Sequence, residues 1–377
     1  MPVSLNSNLP GDPKSCSTKG LCANPSAGCI ERLSKTLNIG LINNMANGAL
    51  EATERQFLSL LDSASEGFSI NLTLYSMPGV PRSEAGEKHI QAYYSSTDKL
   101  CEANLDAVIV TGREPLTPNL RDEPYWDNFT KVLKWAQENT HSTIWSCLAA
   151  HAAVLHLDDV SRVRGRQKLS GIFDCDQVSE HPLTSGAPAR FNLPHSRWNG
   201  LPEERLTTSG YQVLTRSADA GVDTFIKQEK SLFVFFQGHP EYESNTLLLE
   251  YRRDVGRYLR GETDVYPLMP RSYFDEQTAN ALAALQEQAM TCRREELLTE
   301  VANVLSETSI ENTWHSTAAA IYRNWLQYIA AQKKLQLKTR VAAPVDAPRM
   351  AAPLPIATPL PILETAANVL VSVEALA

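Results

Sequence analysis

No apolar run in the chain approaches the roughly 20 residues that a membrane-spanning helix needs. The N-terminus, MPVSLNSNLPGDPKSCSTKG, lacks the basic segment and apolar stretch of a secretory signal. A soluble, cytoplasmic protein with no membrane partner is therefore expected. Concentrated positive charge is missing too: 35 Lys and Arg stand against 43 Asp and Glu, a net charge of −8. The densest basic stretch, Arg162 to Lys168 (RVRGRQK), is short. Nucleic-acid binders need clustered cations to displace counterions from phosphates, so no nucleic-acid partner is expected. The seven cysteines are odd in number and scattered, which excludes a disulfide framework. Cys16, Cys22 and Cys29 have no paired histidine and fit no common zinc spacing, so no metal is expected. There is no internal repeat and no Gly-rich nucleotide fingerprint, hence no permanently bound cofactor.

What is present is a chain of 377 residues, 43% apolar, long enough for a large core. Residues 1–36, rich in Ser, Asn, Gly and Pro, read as a disordered leader. From Leu37 the pattern is regular. Apolar runs at Leu37–Ile42, Ile70–Tyr75, Leu105–Val110 and Thr143–Ser146 alternate with helical patterns at Ala52–Leu61 and Trp126–Asn139. Such alternation predicts βαβ units and a mostly parallel sheet with helices on both faces. Closely spaced strands follow at Lys168–Phe173, Ala189–Leu193, Tyr211–Thr215, Asp223–Gln228 and Ser231–Phe236. They predict antiparallel hairpins joined to that sheet. A helix over Ser244–Leu259 and further helices over 275–336 complete a domain at 37–336. Residues 337–377 form an Ala/Pro-rich tail in which only Leu363–Leu376 could be helical.

The most informative position is Cys147. An apolar β-run ends just before it and an Ala-rich helix begins just after it, the setting of a nucleophile elbow. A helix N-terminus favours thiolate, and the Leu148 N–H is placed to stabilise an oxyanion. The same surroundings also suit an inert buried cysteine. A second site follows the strand Ser231–Phe236, in Gln237-Gly238-His239-Pro240-Glu241-Tyr242. His239 with Glu241 two residues on has the parts of a general base and its orienting carboxylate. The competing reading makes His239 a helix cap and Glu241 a dipole partner. Two strand ends carrying Cys and His can meet at the carboxyl edge of one sheet, where ligands bind in doubly wound folds.

From Leu37 to Gln332 the chain resembles the homoserine O-succinyltransferase family of homoserine O-acyltransferases, in the class I glutamine-amidotransferase-like superfamily. The matching motifs occur in the same order: Leu37-Asn-Ile-Gly-Leu-Ile-Asn, Ala52-Thr-Glu-Arg-Gln-Phe, Val110-Thr-Gly, Pro124-Tyr-Trp, Lys168-Leu-Ser-Gly, His181-Pro-Leu, Pro194-His-Ser-Arg197, Gly238-His-Pro-Glu-Tyr242, Glu250-Tyr-Arg-Arg-Asp254, Asn312-Thr-Trp314 and Asn324-Trp-Leu326. The resemblance implies a flavodoxin-like α/β fold and a ping-pong acyltransferase. It implies Cys147 as the residue acylated by acyl-CoA, His239 as the base that deprotonates the L-homoserine hydroxyl, and Glu241 as the residue that orients it. It also implies substrate contacts at Lys168, Ser196 and Arg253, with His195 and Arg197 behind them. The co-substrate is succinyl-CoA or acetyl-CoA, the pathway methionine biosynthesis, and a homodimer the expected assembly. Taken alone, Lys168 could cap a strand, Ser196 satisfy a turn and Arg253 pair with Glu250 or Asp254 on its own helix.

The departures are specific. Leu148-Ala149-Ala150-His151 stands where the family usually has Trp-Gly-Ala-Gln, so His151 supplies an imidazole in place of an amide. Leu116 occupies the position that discriminates acyl donors with a small or an acidic residue. Arg113 offers a cation for a succinyl carboxylate that Glu114 would oppose. Asn44-Met45-Ala46 replaces the family's Leu-Met-Pro, which leaves serine open as an acceptor beside homoserine. Two other functions share these features: a glutaminase-like Cys-His-Glu amidohydrolase, and a noncatalytic scaffold that docks a partner through its tail.

Overall fold

A computed structural model describes residues 3–5 and 27–342. Strands in chain order are β1 (Val3–Leu5), β2 (Thr36–Ile42), β3 (Ser69–Ser76), β4 (Ser95–Ser96), β5 (Ala107–Val110), β6 (Ser142–Ser146), β7 (Val163–Gln177), β8 (Arg190–Gly200), β9 (Gln212–Val213), β10 (Thr215–Ser217), β11 (Gly221–Val222), β12 (Thr224–Gln228) and β13 (Leu232–Phe236). Helices are α1 (Ala27–Ser34), α2 (Asn47–Ala64), α3 (Glu84–Tyr93), α4 (Trp126–Asn139), α5 (Leu148–Asp158), α6 (Glu203–Thr208), α7 (Thr246–Leu259), α8 (Glu276–Thr291), α9 (Leu297–Ser306) and α10 (His315–Ala342).

Among the described residues the main sheet has nine strands, in the order β1-β3-β2-β5-β6-β13-β12-β9 with β4 beside β3. Its pairings are parallel from β1 through β13, and β12 and β9 add antiparallel strands at one side. The central strands AVIV, STIWS and LFVFF are buried at every position, as expected for parallel strands covered on both faces. Successive side chains point to opposite layers: Ile144 packs with α2, α7 and α10, and Trp145 with α4 and α5. Helix α4 shows how the sequence specifies its docking. Phe129, Val132, Leu133 and Ala136 recur at three- and four-residue spacing and are the residues it buries.

The antiparallel strands divide differently from expectation. Of them β9, β12 and β13 join the main sheet, while β7, β8, β10 and β11 form a separate four-stranded sheet. Strand β7 is 15 residues long and takes β8 on one edge and β10 on the other, with a register shift between Arg164 and Leu169. Both edges of β7 are thus occupied within the second sheet.

The span read as a leader contains structure where apolar side chains can be buried. Val3–Leu5 pairs in parallel with Ile70–Leu72, and α1 buries Ile30. Helix α10 continues to Ala342, beyond the expected limit at 336. The proposed tail helix at Leu363–Leu376, together with Cys16 and Cys22, lies outside the described residues. Helix α10 and the segment before it tie distant parts of the sheet together. Trp314 Nε1 donates to Tyr242 O at 2.9 Å, Trp325 Nε1 to Ser142 Oγ at 2.9 Å, and Lys333 Nζ to Asp106 Oδ2 at 2.7 Å. Among the described residues no helix is long and apolar enough to cross a membrane.

Candidate active site

The register of β6 against β13 sets the site. Ser146 lies opposite Phe236, so Cys147 and the Gln237–Glu241 segment leave adjacent strands at the same carboxyl edge. The Cys147 N–H donates to Phe236 O at 2.7 Å, extending the pairing by one residue. Cys147 then adopts φ 51° and ψ −110°, a left-sided conformation costing on the order of 1–3 kcal/mol for a side-chain-bearing residue. Its carbonyl accepts from Ala150 N at 3.0 Å and His151 N at 3.3 Å, so the turn is held from both sides. The thiol is partly exposed. Leu148 is the first residue of α5, and its N–H has no acceptor one turn back in the helix. The loop after β5 closes on this turn at Gly112. A Cβ there would stand 2.5 Å from Leu148 Cβ and 2.8 Å from Ala149 N, so only glycine permits the approach.

His239 is fixed through its main chain and its ring. Its N–H donates to Pro194 O at 2.8 Å, and the neighbouring Gly238 N–H donates to Asp223 Oδ1 at 3.0 Å. The ring stacks on Tyr242 with centroids 4.2 Å apart. Nδ1 bonds Glu241 Oε1 at 2.9 Å, which leaves Nε2 for the hydrogen bond to the Cys147 side chain. Burial alone would lower the His239 pKa; charge on Cys147 and on Glu241, and hydrogen bonds to both, outweigh it and hold the imidazolium well above its ordinary range. Ser146 Oγ also donates to Glu241 Oε1, at 3.4 Å. The N-cap position of the following helix is Asn245, not His239.

Behind this pair lies a buried layer. Asp223 accepts from Gly238 N, Thr215 Oγ1 and Thr224 Oγ1, and burial raises its pKa against those bonds and the Arg197 charge. His195, fully buried, has Nε2 3.5 Å from Asp223 Oδ1, and burial, Arg197 and His239 keep it neutral. Arg197 spends its guanidinium on His195 Nδ1, Asn199 O and Ala220 O.

The other expected substrate residues gather around two carboxylates of α7. Lys168 Nζ lies 3.0 Å from Asp254 Oδ2 and 3.7 Å from Glu250 Oε2. Ser196 Oγ donates to Glu250 Oε2, and Arg253 Nε to Asp254 Oδ1 at 2.9 Å. Tyr242 joins the two clusters: its ring rests on His239 and its hydroxyl donates to Glu250 Oε1 at 2.7 Å. Leu116 is 55% exposed, and its N–H is held by Glu123 Oε1 at 2.7 Å. Arg113 is directed to Glu114 O and Pro81 O. His151 faces the interior, with Nε2 2.9 Å from Gln237 Oε1, and burial pulls its pKa down to about 3.

The family model described as "Homoserine O-succinyltransferase" matches residues 2–335. The chain belongs to the homoserine O-succinyltransferase family. Relatives of that name are similar over most of their length. The one from Rhodopseudomonas palustris is 44% identical over 82% of this chain and 92% of its own. That from Bradyrhizobium japonicum is 44% identical over 78% of this chain and 90% of its own. Among solved structures, a glutamine amido transferase from Methylobacillus flagellatus aligns with a TM-score of 0.43 and 12% identity, over 78% of this chain and 95% of that one.

For a homoserine O-succinyltransferase family member the sequence motifs left several site residues unmarked. Asp223 begins an ordinary-looking strand, and Tyr242 and Glu250 lay inside matched motifs without a role. Their signal is geometric: Asp223 meets Gly238 and His195, Tyr242 stacks on His239 and Glu250 meets Ser196 only through folding. A cleft of about 380 Å³ also opens beside Phe173, Asp174, Asp219, Arg271 and Tyr273. It includes neither Cys147 nor His239.

Proposed function

We propose that this chain transfers the succinyl group of succinyl-CoA to the hydroxyl of L-homoserine through a thioester on Cys147, a step of methionine biosynthesis. Family membership supports the reaction class. The chain of contacts from Cys147 through His239 to Glu241 carries the mechanism.

In the first half-reaction the Cys147 sulfur attacks the thioester carbonyl of succinyl-CoA, and the oxyanion meets the Leu148 N–H. The tetrahedral adduct collapses with cleavage of the bond to the CoA sulfur, which takes the proton from His239 Nε2 and leaves. Homoserine then enters, and His239, now neutral, accepts the proton of its hydroxyl. The oxygen attacks the Cys147 thioester, and collapse restores the Cys147 sulfur and its imidazolium partner. Using one thiol for both steps splits a difficult transfer into two easier ones.

Lys168, Ser196 and Arg253 serve as the amino-acid subsite. Lys168 and Arg253 against Glu250 and Asp254 make a cluster with no net charge, whose paired cations and anions suit a zwitterion. The acceptor carboxylate would take the guanidinium and its ammonium the α7 carboxylates.

Intact-protein mass spectrometry after mixing with succinyl-CoA tests the reading. The expected result is one succinyl group on the wild-type chain, none on Cys147→Ala, and discharge by homoserine in preference to serine. Absence of an adduct, or its persistence in Cys147→Ala, would refute the mechanism.

A further inference from the structure

The densest basic stretch of the sequence folds into a bulge at one end of the second sheet. Strand β7 pairs Arg164 with Asn199 and Leu169 with Arg197 of β8. Gly165-Arg166-Gln167-Lys168 of β7 therefore stand opposite a single residue of β8, Trp198. The bulge folds closely on its partner strand at Gly165, where a Cβ would lie 3.2 Å from Gln167 O and 3.3 Å from Trp198 O. Arg164 and Arg166 are exposed. The Arg164 guanidinium lies over the indole, 4.6 Å from the ring centroid, yet Trp198 remains 43% exposed. An exposed indole alone needs no explanation; its position does.

Strand β8 meets the active-site turn on either side of Trp198. Before it, the His239 N–H donates to Pro194 O at 2.8 Å; after it, Leu201 N donates to Gln237 Oε1 at 3.0 Å. Side chains alternate along the strand, so His195 and Arg197 are buried while Ser196 and Trp198 share the more open face. Ser196 Oγ donates to Glu250, which also holds the hydroxyl of Tyr242, the residue stacked on His239. Trp198 follows two residues later, about 7 Å along the strand. The bulge is tied to the site at both ends. Lys168 Nζ reaches Asp254 Oδ2 at 3.0 Å, and Arg162, just before β7, donates to Pro118 O in the loop between β5 and α4. That loop also approaches α7, with Arg257 Nη1 3.9 Å from Glu114 Oε2. Trp198 and Arg164 thus stand on the rim of the site, one step outward from the amino-acid subsite.

The charge at this rim is uncommitted. Residues 162–168 carry Arg162, Arg164, Arg166 and Lys168 and no carboxylate, in a chain of net charge −8. Among the described residues neither Arg164 nor Arg166 has an ion-pair partner, whereas Lys168 and Arg253 pair with Asp254 and Arg257 with Glu262. An acyl-CoA donor has its reacting carbonyl at one end of a flexible pantetheine arm. At the other end is a purine nucleotide bearing a diphosphate and a 3′-phosphate. Its nucleotide therefore belongs on a rim away from the nucleophile, where a flat ring and unpaired guanidiniums match base and phosphates.

We propose that Trp198, Arg164 and Arg166 bind the nucleotide end of the acyl-CoA donor, the indole stacking on the purine and the two guanidiniums holding its phosphates. This rests on the acyl-CoA reading above and deepens it, and the test separates the two.

Full-length wild type, Trp198→Ala and the double variant Arg164→Gln, Arg166→Gln would be assayed with succinyl-CoA and with succinyl-N-acetylcysteamine, which carries the same thioester without a nucleotide. Each variant should raise the KM for succinyl-CoA about tenfold, the scale of a lost base stack or phosphate contact, and keep kcat within about twofold. With the truncated donor both should stay within about twofold of wild type, because binding energy from the missing nucleotide was never available to it. Raising the salt concentration should weaken succinyl-CoA more in wild type than in the double variant. Calorimetry of CoA and of ATP binding to Cys147→Ala, alone and combined with each change, reads the site without turnover. CoA should bind, and each change should weaken it about tenfold. Unchanged KM and CoA affinity in both variants overturn the proposal. So does an equal loss on both donors, which would place the bulge in service of the fold, or a loss confined to ATP, which would give the surface to a free nucleotide. If neither donor acylates wild type while CoA still binds through these residues, the transfer reading falls and the nucleotide site stands.

Discussion

Replacing His151 by glutamine should remove a defined acid sensitivity. The imidazole is buried, with Nε2 2.9 Å from Gln237 Oε1 and Nδ1 without a partner. Burial, aided by the Arg197 and Arg162 charges and opposed by the Gln237 hydrogen bond, lowers its pKa from 6.5 to about 3. In the unfolded chain the same group takes a proton near 6.5. Its folded pKa is depressed, so its contribution to stability is complete above 6.5 and is lost as pH falls from 6.5 towards about 3. At pH 5.0 the unfolded state has gained about 1.5 pH units of proton binding that the folded state has not, worth about 2 kcal/mol at 1.36 kcal/mol per unit. At pH 7.5 the effect is close to zero. A glutamine keeps a hydrogen bond to Gln237 and does not titrate. Urea unfolding of wild type and His151→Gln at pH 7.5 and 5.0, followed by tryptophan fluorescence, gives the double difference. Wild type should lose about 2 kcal/mol more than the variant on acidification, whatever the substitution costs at neutral pH. Equal losses in the two proteins would refute the argument, because every other titrating group is shared.

Two further substitutions separate parts of the site. Gly112→Ala drives a methyl into Leu148 and the Ala149 N–H; it should destabilise the fold by about 1–3 kcal/mol and lower turnover at least ~100-fold, and turnover like that of wild type would show that the loop yields. Tyr242→Phe keeps the ring on His239 but deletes the hydroxyl held by Glu250 at 2.7 Å. It should raise the KM for homoserine about tenfold, within the range of a hydrogen bond to a charged group, and leave acylation by succinyl-CoA within about twofold; a slowed acylation step would refute that division of labour.

The central sheet was legible because parallel strands buried on both faces are mostly apolar, and AVIV and LFVFF announce themselves. Helix α4 was equally plain from the spacing of Trp126, Phe129, Val132, Leu133 and Trp135, of which Phe129, Val132 and Leu133 are buried. Local pattern also placed Cys147 and His239 at strand ends. Their meeting was beyond local pattern, because it depends on the β6–β13 register between segments about ninety residues apart. The partition of the antiparallel strands was misjudged for a related reason: hairpin periodicity says that strands pair, and the choice of sheet is made by which edges remain open. Residues such as Asp223 and Glu250 were unreadable because a carboxylate in sequence carries no mark of its neighbours.

The anchoring of the sheet by the last helix has a consequence for synthesis on the ribosome. Trp314 holds the carbonyl of Tyr242, in the turn that bears His239, and Trp325 holds Ser142, where the strand of Cys147 begins. Both contacts join early parts of the chain to residues more than 70 and more than 180 positions later. A nascent chain can pair its parallel strands as they emerge, since domains fold from the N-terminal side during translation. It cannot clamp the Cys147 and His239 segments until residue Trp325 has left the exit tunnel. A half-made chain therefore carries Cys147 without His239 held in place, and the clamp arrives late, with the first turns of α10.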